Sequence, residues 1–237
     1  MAFRARTPGV PSYLAEGAPL VFPDPRNERG FDGLVAIGGD LSPERVLLAY
    51  REGIFPWYAE GTEILWWSPN PRAIIEMTAV HRSRSLERRL RRGDFTFTID
   101  HAFADVMAGC ADRDEGSWIL PEVADAYQRL HEFGHAHSFE AWRGTELVGG
   151  LYGVHVGAVF AAESMFHRQT DASKAVLVVA VTSLARCGIE LFDVQFKTEH
   201  LASMGASEVS RVNYLSRLKA AVARPVSLDA LEPDWRT

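Results

Sequence analysis

Two cysteines in 237 residues, Cys110 and Cys187, are too few for a disulfide framework and fit no metal motif. They read as buried thiols in a reducing compartment. No apolar stretch suits a membrane span: the longest run, "AVLVVAVTSLA", falls well short of the ~20 residues such a helix needs. The opening "MAFRARTPGVPSYLAEG" has no apolar core of a secretory signal, so the cytoplasm is the expected location, with no membrane partner. There is no G-x-x-x-x-G-K-[ST] phosphate loop. The pair Gly38-Gly39 precedes Asp40, whose carboxylate repels phosphate, so it reads as a turn. No G-x-S-x-G elbow is present, and Ser173 of "DASK" reads as the start of a helix, with Asp171 or Ser173 as its cap. His131, His135 and His137 crowd together, but Gly134 is expected to end the helix between them. No cysteine or paired carboxylate completes a metal site there. A serine nucleophile, an ATP-driven step, a metal and a cofactor are therefore not expected.

Excess positive charge is also missing. The formal net charge is −6, which taken alone argues against nucleic acid. The distribution says more. "HRSRSLERRLRR" holds Arg82, Arg84, Arg88, Arg89, Arg91 and Arg92 against one acid, Glu87. A helix over this stretch is either an ordinary solvated face or a phosphate-contacting patch on an otherwise acidic protein.

What the chain does have is a substantial apolar share, 47%, enough for a real core. Residues 1 to 33 are rich in Pro, Gly and Arg and read as irregular. "DLSPERVLLAYREG" carries helix punctuation: Ser42 as N-cap, Pro43 at the first position, Glu44 in the first turn, Gly53 after the end. Pro56, Pro69 and Pro71 exclude a long helix in the aromatic stretch that follows, and "AIIEM" leads out of it as a strand. "DFTFTIDHAF" is strand-like; "HAFADVMAGCADR" and "PEVADAYQRLHEFG" read as helices. "HSFEAWRGTELVGGLYGVHVGAVFAAESMF" reads as consecutive antiparallel strands turning at Arg143-Gly144 and His155-Val156-Gly157. "DASKAVLVVAVTSLARCG" is a buried helix closed by Gly188, and "IELFDVQF" the next strand. A short helix, a glycine and a polar, strand-like tail follow. The expected class is α+β: a small N-terminal α/β domain over residues 1–70, then a domain over 71–237 with a mainly antiparallel sheet.

Three polar groups interrupt these apolar elements. Glu163 closes "GAVFAAE", and Asp193 and Gln195, two apart, share one face of a strand. A satisfied buried network is one explanation; three such groups converging in one domain point instead to a site.

The words "GLVAIGGDLSPERVLLAYREGIFPWY", "ILWWSPNPRAII", "GSWIL", "ELVGGLYGV", "ESMFHRQTDASKAVL" and "HLASMGA" closely resemble the leucyl/phenylalanyl-tRNA–protein transferases, over nearly all of residues 20 to 220. The resemblance implies transfer of Leu, Phe or sometimes Met from aminoacyl-tRNA to proteins that begin with Arg or Lys, marking them for N-end rule degradation. It implies that the second domain is GNAT-like, that is, acetyltransferase-like, and that the protein is a monomer. By the same resemblance Trp57 and Trp118 hold the terminal adenosine, with Tyr50 also on the substrate side. Leu151, Phe160 and Ala180 wall the amino-acid pocket; Leu151 stands where a methionine is familiar, and Ala180 where a larger residue occurs. Glu163 binds an amino group, Asp193 and Gln195 are the Asp-x-Gln pair, and the arginine helix grips the acceptor stem.

The reaction so implied is aminolysis of an activated ester. Gln195 is a poor base, since a neutral amide holds protons weakly, but its carbonyl oxygen can aim an amine. Asp193 is expected to orient that amide. Asp193, Glu163 and Glu199 are candidates for meeting the acceptor's Arg or Lys side chain. Two alternatives are an acyl-CoA-dependent N-acetyltransferase of the same fold and a non-catalytic RNA-binding module. The first expects a glycine-rich turn where this chain reads "RQTDASK"; the second leaves Glu163, Asp193 and Gln195 without a purpose.

Overall fold

The computed structural model describes residues 11–15, 17–27, 32–113 and 116–236; the first ten residues, read above as irregular, lie outside the described residues. A small sheet forms first, from β1 (Ser12–Leu14), β2 (Leu34–Gly38), β3 (Phe55–Pro56) and β4 (Leu65–Trp67), in the order β1-β2-β4-β3. Only β1 and β2 run parallel. The opening segment is thus not wholly irregular. Gly38 permits the β1–β2 approach: its φ is +85°, and a Cβ there would sit 2.6 Å from the Leu14 carbonyl oxygen. Helix α1 (Pro43–Arg51) lies between β2 and β3 and starts at Ser42, as its punctuation predicts. The Ser42 side chain does not cap it, however; hydroxyl and backbone N–H both donate to Asp40.

The larger sheet takes β5 (Arg72–Ile75), β6 (Thr96–Ile99), β7 (Ala136–Arg143), β8 (Glu146–Val156), β9 (Val159–His167), β10 (Leu191–Gln195) and β11 (Ser207–Val209), in the order β11-β5-β10-β9-β8-β7-β6. Every neighbouring pair is antiparallel except β9 and β10, so the expected mainly antiparallel α+β arrangement is present. The parallel pair requires a crossover, which α5 (Ala172–Cys187) supplies. The other helices are α2 (Arg84–Arg92), α3 (Phe103–Ala111), α4 (Pro121–Glu132), α6 (Glu199–Ser203) and α7 (Arg211–Val222).

The sheet divides the core. On one face α1, α3 and α4 pack with Trp66, Tyr127 and Tyr152, in a cluster that runs from the small sheet into the large one. On the other, the buried α5 packs with Leu151, Phe160 and Phe192, and α2 adds Leu86 and Leu90. Each such buried aliphatic side chain contributes about 1.5–3 kcal/mol.

Two expectations need correction. The polar tail is strand-like only over β11, Ser207–Val209; from Arg211 it forms α7. Ser210 caps the Asn213 N–H, and Tyr214, Leu218 and Ala221 fall on one buried stripe. Cys110 is buried, but Cys187, in the last turn of α5, is only partly so.

Candidate active site

Two bulges on adjacent strands build the site. Between β8 and β9, Tyr152 pairs with Ser164 and Gly153 with Ala162, which leaves Glu163 as the extra residue. Between β10 and β5, Asp193 pairs with Ile74 and Gln195 with Ala73, which leaves Val194 over. Bulges of this kind re-aim side chains. Gln195 also adopts a left-handed backbone, φ 56°, at a cost of about 1–3 kcal/mol for a residue with a side chain.

Asp193 holds that strained residue. Its Oδ1 accepts from the Gln195 backbone N–H at 3.0 Å. Asp193 is itself clamped by Arg72, whose Nε donates to Oδ1 at 2.8 Å and Nη2 to Oδ2 at 2.6 Å, while the Tyr214 hydroxyl donates to Oδ2 at 2.8 Å. Both charged side chains are 1% exposed. The Arg72 guanidinium lies over the rings of Phe55 and Tyr214, 4.8 and 4.5 Å from their centres. Burial works against its charge, and the Asp193 carboxylate more than offsets that. Asp193 therefore meets the backbone of Gln195, not the side-chain amide expected from sequence.

Glu163 and Gln195 meet directly. Gln195 Nε2 donates to Glu163 Oε1 at 3.1 Å, and the Tyr127 hydroxyl donates to Oε2 at 3.3 Å. Tyr50 lies behind, its hydroxyl 2.5 Å from that of Tyr127. Burial pushes the Glu163 carboxyl up to about 8; hydrogen bonds from Tyr50 and Tyr127 and the charge of Arg72 oppose this, and Asp193 adds to it.

Glu163 and Gln195 line a cleft of about 1030 Å³, and so do Trp57, Trp118, Phe196 and Arg113. Trp57 is 45% exposed and packs beside Trp67 and Phe196. Trp118 stands edge-on to Tyr127. Tyr50 is buried and does not line the cleft, nor do Leu151, Phe160 and Ala180, which lie fully buried on the α5 side. Their apolar cluster reaches the cleft wall through Ala162, Met165, Val194 and Leu201.

The arginine helix is less free than its sequence suggests. Arg82 donates to the Trp235 carbonyl and to Thr182, and Arg89 pairs with Asp171. Arg91 pairs with Glu87 and Arg92 with Asp94. Arg84 and Arg88 are exposed and without a partner among the described residues. Elsewhere, His131 stacks on Phe103 and bonds the Ala136 carbonyl, while His137 bonds Asp100. Among the described residues no group of three His, Cys, Asp or Glu is arranged to hold a metal. Glu199 is exposed on α6, outside the cleft lining. Among the described residues no helix is long and apolar enough to cross a membrane.

Sequence reading missed Arg72, Tyr127, Tyr214 and Arg113. Arg72 had a signal, as the one charge in the buried strand "RAII". Tyr127 read only as a core position of a helix and Tyr214 as part of a polar tail, and nothing local marks their hydroxyls as partners of carboxylates.

Comparison with known proteins agrees with the words quoted from the sequence. A family model described as leucyl/phenylalanyl-tRNA protein transferase matches residues 74–219, and one for the N-terminal domain of that transferase matches residues 39–70. A leucyl/phenylalanyl-tRNA–protein transferase of Anaeromyxobacter sp. (strain Fw109-5) is 54% identical over 86% of this chain and 88% of its own. One from Syntrophobacter fumaroxidans is 51% identical over 94% and 91%. One from Citrobacter koseri is 51% identical over 84% and 86%.

Proposed function

Because the chain belongs to the leucyl/phenylalanyl-tRNA protein transferase family, we propose that it moves Leu or Phe, and in some settings Met, from aminoacyl-tRNA to the N-terminal Arg or Lys of acceptor proteins, marking them for N-end rule degradation. The observation that carries this reading is the Glu163–Gln195 pair in a cleft that Trp57 and Trp118 also line. The two indoles take the terminal adenosine, base stacking on an aromatic ring being worth about 1–3 kcal/mol. The amino-acid side chain enters at Ala162, Met165, Val194 and Leu201, and Leu151, Phe160 and Ala180 set the depth behind them.

The acyl ester is already activated, so the site has to aim an amine. Gln195 gives its N–H to Glu163, which leaves its carbonyl oxygen to accept from the incoming α-amine. The amine attacks the ester carbon, the bond to the ribose oxygen breaks, and that oxygen leaves with a proton. An α-amine has a pKa of about 7.7–8.0, close to the value near 8 of the Glu163 carboxyl beside it. Arg72 and Tyr214 already occupy both oxygens of Asp193, so Glu163 and Glu60, which both line the cleft, are the acidic residues that face the acceptor, Glu163 with its proton held up to a pH of about 8.

In this reading residues 1–70 form a small N-terminal domain and residues 71–237 a GNAT-like catalytic domain, and the protein works as a cytoplasmic monomer. Arg84 and Arg88 are the arginines of α2 free to meet the acceptor stem. An acyl-CoA reading is disfavoured by Asp171, whose carboxylate stands at the start of α5 where a pyrophosphate would have to lie. The test is transfer of radiolabelled Leu or Phe from tRNA to a peptide beginning with Arg or Lys; an unlabelled peptide would remove the assignment.

A further inference from the structure

Arg113 follows α3 and puts an exposed guanidinium into the cleft, in the segment that leads to Trp118. Two neutral acceptors hold it: its Nε donates to the Cys110 carbonyl at 3.1 Å, and its Nη2 to Ser164 Oγ at 2.8 Å. Its Nη1 has no partner, and no carboxylate pairs with it, among the described residues. Among the described residues lining the cleft it is the sole Arg or Lys. The side chain is thus pre-set and, among the described residues, short of an anion.

Its location is tied to the reacting centre. Ser164 directly follows Glu163, at the bulge that aims Glu163. One irregularity of β9 therefore fixes both the acid and the cation. The ligand that fits has a negative charge close to the acyl ester. An acceptor peptide beginning with Arg or Lys brings positive charge, which Arg113 repels. The ester and its adenosine are neutral. The first anion met along the tRNA, moving away from the ester, is the phosphodiester that joins the terminal adenosine to the preceding nucleotide.

We propose that Arg113 binds this phosphodiester and so sets the register of the acceptor end in the cleft, an assignment that rests on the transferase reading. Its work is positioning: with the phosphate held on Arg113 and the base on tryptophan, the ester is delivered to Gln195.

The test compares two minimal donors, leucyl-adenosine and the leucyl-cytidylyl-adenosine dinucleotide, which adds one phosphodiester. The quantity read is the ratio of kcat/KM for the dinucleotide to that for the mononucleotide. In R113Q this ratio is expected to fall about 10-fold or more, as loss of a charged hydrogen bond implies. The salt dependence of kcat/KM on the dinucleotide should become shallower by about 0.7 in log–log slope. R113K, which keeps the charge, should retain more of the ratio than R113Q. An R113Q ratio equal to that of the wild type, in protein with unchanged circular dichroism, overturns the phosphate contact while leaving the transferase reading intact. Equal ratios in R113K and R113Q overturn a charge contact. Absence of transfer from either donor by the wild type overturns both readings together.

Discussion

The side-chain amide of Gln195 donates to the carboxyl of Glu163 at 3.1 Å, and both residues stand at bulges on neighbouring strands. The relationship organises the cleft. Glu163 fixes which end of the Gln195 amide faces away, and Asp193 fixes the backbone from which that amide projects.

Glu163 makes stability depend on pH. Its carboxyl is pushed up to about 8, from an ordinary value of 4.5, chiefly by burial. Between these values the folded protein keeps a proton that the unfolded chain has lost. Stability from this group is therefore highest on the acid side, falls as pH rises through the window, and stays low above about 8. E163Q removes the titration. Urea denaturation at pH 5, 7 and 9 should show E163Q gaining on the wild type as pH rises; a constant difference would contradict the raised carboxyl.

The Arg72–Asp193 pair should be costly to break from one side. Removing one partner of a buried ion pair costs about 3–5 kcal/mol, because the other charge is left uncompensated. D193A is expected to lose that much in urea denaturation, and R72M a comparable amount. Y214F, which removes one hydrogen bond to the carboxylate, should lose roughly 1–2 kcal/mol. Losses below about 1 kcal/mol in D193A would contradict the dry, paired geometry.

These numbers bear on what the sequence could reveal. Local punctuation made the helices from Pro121 and to Gly188 legible, and the hairpin turns at Gly144 and Gly157 as well. Asp193 and Gln195 stood out as polar groups in an apolar strand. Glu163, the partner of Gln195, stood out with them, but the partners of Asp193 did not. Arg72 lies 121 residues from Asp193, and no local pattern encodes a contact of that range. Tyr214 was hidden because the tail around it was read without its helix, although Ser210 and the spacing of Tyr214, Leu218 and Ala221 carried the signal. Bulges defeat alternation by definition: one extra residue in β9 is what places Glu163 beside Gln195. The arginines from Arg82 to Arg92 misled in the other direction. Charge counted along the sequence cannot register the distant Trp235 carbonyl and Asp171, which take up Arg82 and Arg89.

Tyr152 offers a test of the core beneath the site. Its hydroxyl is buried with no hydrogen-bond partner among the described residues, while its ring packs edge-on against Phe103 and Tyr127. An unsatisfied buried polar group costs about 1–3 kcal/mol, so Y152F should stabilise the protein by about 1 kcal/mol in thermal or urea unfolding. A destabilised Y152F would mean that the hydroxyl has a partner.

The central claim is that Gln195 aims the amine. It is tested most directly by single-turnover transfer from saturating Leu-tRNA or Phe-tRNA to an Arg-initiated peptide, comparing wild type with Q195A and measuring tRNA affinity in parallel. Loss of a positioned polar contact at a reacting centre costs about 100- to 1000-fold in rate. The account predicts a loss of that order in Q195A, with tRNA affinity within a few-fold of the wild type. Equal losses in rate and affinity, or a Q195A rate close to that of the wild type, would contradict it.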